Sequence, residues 1–244
     1  HLRTGDRAAA RPALQPLLML RRWRILQLAD SAFPTGAYAH SAGFEAFPDG
    51  RSPGTSRLGD EKAQEDAIFC ALEQTLVTAR HQSLPYVHAA WKADLDPQEL
   101  DAACDATLTG PVGNRASRAQ GRAFLVAATE ALEAPELADL RRYLPAGLHL
   151  CVAFGTVFGR LGASFEETQE LYLFGLVRTV LSAAVRLNRL GPFAGQRLQD
   201  RAGNRVAQLL RKPLVPWEEA ASASPFLDLY QELHPALSTK LFQS

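Results

Sequence analysis

Tyr38, His40 and Glu45 are the residues whose types and spacing most invite a chemical reading. They stand in residues 26–45, LQLADSAFPTGAYAHSAGFE, among Pro34, Gly36, Ser41, Gly43 and several alanines. A phenol, an imidazole and a carboxylate buried together would form an acid–base cluster, as in a helical enzyme or a small-ligand pocket. The competing reading is contact. Residues this small let backbones approach closely, and Pro34 fixes a turn or a helix start. The segment is then a tight helix–helix contact or a surface offered to a partner.

Other catalytic patterns find less support. The six histidines form no i,i+3 or i,i+4 pair, and HExxH is absent. His81 and His88 share a helix face but lie ~10 Å apart along it, too far to hold one zinc or nickel ion unbridged. A metallochaperone reading would have to rest on these two and Cys70. There is no GxxxxGK[ST] for phosphates and no GxSxG. His40 and Ser41 are adjacent, so on a helix they diverge by about 100° and make no dyad. No resident metal or cofactor is expected.

A second pattern is cationic. In Asn114-Arg115-Ala116-Ser117-Arg118-Ala119-Gln120-Gly121-Arg122, the three arginines fall at i, i+3 and i+7, one basic stripe along a helix. The opposite face carries Ser117, Gly121, Phe124, Leu125 and Ala128, where two small residues four apart allow close approach to a neighbour. The stripe is either a solvated charged face or a docking strip for an acidic partner.

The elements that must position these residues read as helices. Ile68, Leu72, Thr75, Leu76 and Ala79 recur at three and four. Asp96 caps a helix with Pro97 in its first turn, and Asn114 is expected to cap one running to about Leu132. Ser164 precedes Glu166 and Glu167 at the start of a helix over 165–190, apolar on nearly every face and so expected at the centre of a bundle, with Gly191-Pro192 ending it. Period-two alternation is not sustained anywhere. The fold class is all-α, a single-domain bundle of eight to ten helices. Residues 1–24 are expected to be a leader, disordered or partly ordered. The domain is 25–244, with an exposed loop at 48–60 where Pro48, Gly50, Pro53, Gly54 and Gly59 cluster.

Composition sets the outer limits. With 244 residues, 47% hydrophobic, the chain can bury a large core. Its 26 basic and 26 acidic residues leave no basic excess, which disfavours nucleic acid. Cys70, Cys104 and Cys151 make no CxxC and no even framework, and read as isolated, reduced thiols. No secretory signal is visible, and the longest apolar run, 171–185, is interrupted by Arg178, short of the ~20 residues a membrane span needs. A cytoplasmic protein without membrane contact is the expectation.

Several of these segments resemble, in order, the urease accessory protein F (UreF) family. Residues 26–45 resemble its L-Q-L-x-D-S-x-x-P-x-G-G-F-x-x-S-x-G-L-E signature, with Ala37, Tyr38 and Phe44 in place of Gly, Phe and Leu. Residues 114–122 are similar to R-x-x-S-x-x-Q-G-R. Residues 149–155 resemble H-x-P-V-x-x-G, with Cys151 for Pro. Residues 182–187 match S-A-A-V-R-L, Gly195-Gln196 fits the following G-Q, and the C-terminus resembles R-L-F-x-S with Lys240 for Arg. The resemblance implies a non-enzymatic, dimeric, all-helical scaffold. It would bridge UreD (or UreH) and the GTPase UreG, and regulate GTP hydrolysis and nickel delivery to apo-urease. Carried over position by position, Pro34, Gly36, Tyr38, His40, Ser41, Gly43 and Glu45 shape a partner or dimer surface. Arg115, Arg118 and Gln120 face the GTPase or line the nickel route, and an arginine finger would come from Arg118 or Arg122. Gln196 joins the partner-facing set, while Leu241, Phe242 and Ser244 order against UreD or UreH.

Overall fold

The computed structural model describes residues 6–35, with side chains from residue 18, and residues 61–222. They form α1 (Asp6–Ala29), α2 (Glu61–Thr78), α3 (Leu84–Lys92), α4 (Pro97–Thr107), α5 (Pro111–Ala131), the single turn α6 (Leu140–Tyr143), α7 (Leu150–Arg160), α8 (Phe165–Arg186) and α9 (Pro192–Leu210). Among the described residues there is no strand, and the all-α expectation stands. One continuous core runs from Ile25 on α1 to Ala220. Helix α1 begins at Asp6, so it crosses the expected boundary between leader and domain. The 48–60 loop lies outside the described residues.

Side-chain chemistry caps the starts of α4 and α8. Asp96 accepts a hydrogen bond from the Gln98 N–H at 2.8 Å and caps α4. Ser164 and Glu167 form a reciprocal capping box at α8, with bonds of 3.1 and 2.9 Å. Helix α5 departs from expectation. It starts at Pro111 with Gly110 as its cap, so Asn114 sits inside the helix and its amide turns back to the Asp105 carboxylate and the Leu108 carbonyl. Helix α8 stops at Arg186, short of Gly191. Asn188 takes a left-handed φ of 54°, and the N–H groups of Asn188 and Arg189 close on the Val185 and Ala184 carbonyls. That is a Schellman stop with asparagine where glycine is usual.

Helices α2 and α3 form one rod interrupted by a π-helical turn at Ala79–Ser83. The wider turn puts both Ala79 and Arg80 inside. The most buried helix is α7 rather than α8, whose Phe174 is exposed. The reason is size. A Cβ on Gly155 would come within 2.3 Å of the Val87 carbonyl oxygen, and one on Gly159 within 2.6 Å of the Trp91 carbonyl oxygen. Only glycine permits α3 to lie this close to α7.

Candidate functional site

The arginine stripe of α5 splits in two. Arg115 and Arg122 are exposed, whereas Arg118 turns toward α4. There Asp101 and Asp105, one turn apart, present carboxylates on one face. The Arg118 guanidinium reaches Asp101 Oδ2 at 3.0 Å and Asp105 Oδ1 at 2.8 Å through separate nitrogens. The same carboxylates hold the start of α7. The His149 backbone N–H donates to Asp101 Oδ1 at 2.6 Å, and its ring Nε2 lies 3.1 Å from Asp105 Oδ1.

The proton positions on His149 follow from its partners. The carboxylate of Asp105 only accepts, so Nε2 carries the hydrogen and Nδ1 accepts from the Ser117 hydroxyl at 3.1 Å. Ser117 Oγ in turn accepts the Leu150 N–H at 3.3 Å. Burial pushes the His149 imidazole below its ordinary pKa, against the pull of Asp101 and Asp105. The Asn114 amide, the Arg118 guanidinium and the His149 ring hold the Asp105 carboxyl well below the usual carboxylate range. The order Ser117–His149–Asp105 has the connectivity of a nucleophile relay. Here, however, Asp105 is shared among three donors, and the ring is wholly buried. What the network does is fix α4, α5 and α7 in register, with α5 seated by Gly121, where a Cβ would stand 2.1 Å from the Leu148 carbonyl oxygen.

Beside this junction lies a cavity of about 260 Å³ between the end of α1, the π-helical turn, α5, α7 and α8. Its wall includes Ser117, Gln120, Cys104, Cys151 and Tyr172. Thr78, also on the wall, keeps its hydroxyl buried without a hydrogen-bond partner among the described residues.

Of the residues singled out from sequence, Arg118 joins the network and Gln120 the cavity wall. Arg115 lies on the outer face of α5. Pro34 is exposed in the turn after α1, and Gln196 is exposed on α9. Gly36, Tyr38, His40, Ser41, Gly43, Glu45, Leu241, Phe242 and Ser244 lie outside the described residues. His88 packs its ring on Phe165, centroids 4.3 Å apart, while His81 is exposed. Sequence reasoning missed Asp101 and Asp105 as partners of Arg118, and His149 as the residue that shares those carboxylates. The available signal was an acidic pair at i,i+4 on a helix whose intervening Cys104 is apolar.

Comparison with known proteins covers the whole of this junction. The UreF family profile matches residues 62–203. The chain is 36% identical over 235 residues to urease accessory protein F of Arabidopsis thaliana, covering 91% of this chain and 92% of that protein. It is 34% identical to urease accessory protein F of Oryza sativa subsp. japonica, covering 90% and 84%. It is 32% identical to urease accessory protein UreF of Arthrobacter sp. (strain FB24), covering 89% and 95%.

Proposed function

Since the chain belongs to the UreF family, we propose that it serves urease maturation as a cytoplasmic scaffold without chemistry of its own. In this reading it bridges UreD or UreH and the GTPase UreG as a homodimer, and times GTP hydrolysis against delivery of the nickel cargo to apo-urease. The observation that carries the reading is the likeness along 91% of the chain to a protein named for that accessory role.

Surface features support it. Arg115 and Arg122 stand outward on one face of α5, held in register by the Arg118 network beneath, and such a face suits an acidic partner. Met19, Trp23 and Leu26 leave an apolar stripe exposed along α1, a feature that marks protein contacts more often than open solvent. Arg118 is committed to Asp101 and Asp105, so within this reading it positions the face and Arg115 and Arg122 meet the GTPase. Pro34, Gly36, Tyr38, His40, Ser41, Gly43 and Glu45 contribute the dimer or scaffold contact, and Leu241, Phe242 and Ser244 the UreD or UreH contact.

The test is size-exclusion chromatography of the chain mixed with UreD (or UreH) and UreG, with and without GTP and nickel. A co-eluting complex that responds to nucleotide is expected. The double charge reversal Arg115→Glu with Arg122→Glu should weaken retention of UreG by roughly tenfold or more while leaving the melting temperature within about 2 °C, as expected for rim charges. Elution of the chain alone under every condition would remove the scaffold role.

A further inference from the structure

The chain has three cysteines, and two of them meet. Cys70 is exposed on α2, whereas Cys104, in the last turn of α4, and Cys151, in the first turn of α7, are buried with their sulfurs 3.5 Å apart. They are 47 positions apart in sequence, so the encounter is made entirely by the fold. The backbones that carry them are already fastened together, because the Asp101–His149 hydrogen bond of 2.6 Å lies within one turn of both sulfurs. Both thiols also form part of the wall of the 260 Å³ cavity, which has room for a molecule of peroxide size.

We infer that Cys104 and Cys151 are a dithiol–disulfide couple, closed by hydrogen peroxide into a covalent link between α4 and α7. The inference does not depend on the partner reading. The closing bond is roughly 1.5 Å shorter than the present sulfur separation, a change within reach of side-chain rotation. The chemistry balances with one peroxide. A cysteine sulfur attacks a peroxide oxygen, the O–O bond breaks, and a sulfenic acid and one water result. The second sulfur then attacks the sulfenic sulfur and the S–O bond breaks. The departing hydroxide leaves as a second water, taking the second thiol's proton. Two thiols are oxidised by two electrons, and the peroxide is reduced to water.

Reactivity sets the character of the couple. The hydrogen bond shared with Cys151, together with burial, pushes the Cys104 thiol far above its ordinary pKa, which keeps thiolate scarce. Closure is therefore slower than oxidation of the exposed Cys70, and once made the link is a lasting state. It crosses the same joint as the Arg118–Asp105–His149 network, so the closed form holds α4 to α7 without relying on those polar contacts.

The experiment uses the full chain carrying Cys70→Ser, which leaves only the two thiols in question. After hydrogen peroxide treatment and removal of the excess, intact mass and alkylation in denaturant are read without reductant. The expected result is a monomer lighter by two hydrogens, closed to alkylation, reopened by dithiothreitol, and melting roughly 5–10 °C above the reduced form. Retention of two alkylatable thiols after prolonged exposure would overturn the couple. So would masses raised by added oxygen with no loss of hydrogen, or disulfide-linked dimers in place of the closed monomer. Phenylarsine oxide, which bridges neighbouring thiols, gives a second reading on the reduced folded chain. A one-to-one adduct is expected, and its absence overturns the pairing.

Discussion

Arg118 meets two carboxylates on different turns of α4, and it does so through different nitrogens of one planar group. Lysine carries the same charge but cannot make that fork. Arg118→Ala leaves Asp101, largely buried, and Asp105 facing each other without a counter-charge. The guanidinium is 41% exposed, which screens the pairing, so the expected loss is about 1–3 kcal/mol rather than the larger cost of a dry ion pair. Arg118→Lys should recover roughly half of it, read as the urea midpoint of each variant. Equal midpoints for wild type and both variants would show that the fork contributes nothing. The sequence displayed the i, i+3, i+7 arginine stripe plainly but not which arginine turns inward. That choice belongs to Asp101 and Asp105, 17 and 13 positions away on another helix, and periodicity within α5 carries no information about them. The acid–base cluster read from Tyr38, His40 and Glu45 lies outside the described residues.

At the scale of elements, legibility follows the reach of the interaction. Asp96 and Ser164 cap helices with bonds spanning two or three residues, and local sequence was enough to find them. Asn114 and Asn188 are equally local types, yet one was expected to begin a helix it sits inside and the other ends a helix expected to run to Leu190. Asparagine serves as cap, turn or left-handed residue with similar ease, and only the neighbouring elements decide. The π-helical turn left no mark in the apolar stripe at all. Its consequence is Arg80, buried between α2 and the end of α9. Arg80 donates to the carbonyls of Leu209, Lys212 and Pro213 at 3.0, 2.8 and 2.7 Å, closing a helix end that lacks a glycine cap. Arg80→Met keeps much of the volume and removes the guanidinium donors. The Leu209 carbonyl keeps the Lys212 N–H, while those of Lys212 and Pro213 lose the Arg80 bond at a cost of about 2–4 kcal/mol. Hydrogen exchange should quicken first in the last turn of α9. Unchanged exchange there would mean that solvent replaces the guanidinium without penalty.

Over the whole molecule, formal charge sums to zero, so the pH response is governed by individual groups whose environments differ between folded and unfolded chain. His149 is lowered by burial, and half-buried His88 by burial with Lys92 adding to it. Asp105 is lowered by Asn114, Arg118 and His149. A folded pKa below the unfolded one means that the unfolded chain binds more protons, so stability rises with pH across that interval. For the two histidines the contribution is complete above about pH 6.5 and is lost as pH falls through their lower folded values. For Asp105 the loss begins only below about pH 4. The melting temperature should therefore fall in two stages on acidification, first below pH 6.5 and again below pH 4. His149→Gln separates the causes, because its amide can still donate toward Asp105 and accept from Ser117 but does not titrate. At pH 7.5 the variant should lie below wild type, since the amide fits the wholly buried imidazole site less well. Between pH 6.5 and 5 its melting temperature should fall by less than that of wild type, with the remaining slope left to His88. Parallel curves over that range would remove His149 from the acid response. A wild-type curve flat from pH 7.5 to 5 would mean that neither imidazole is held neutral by the fold.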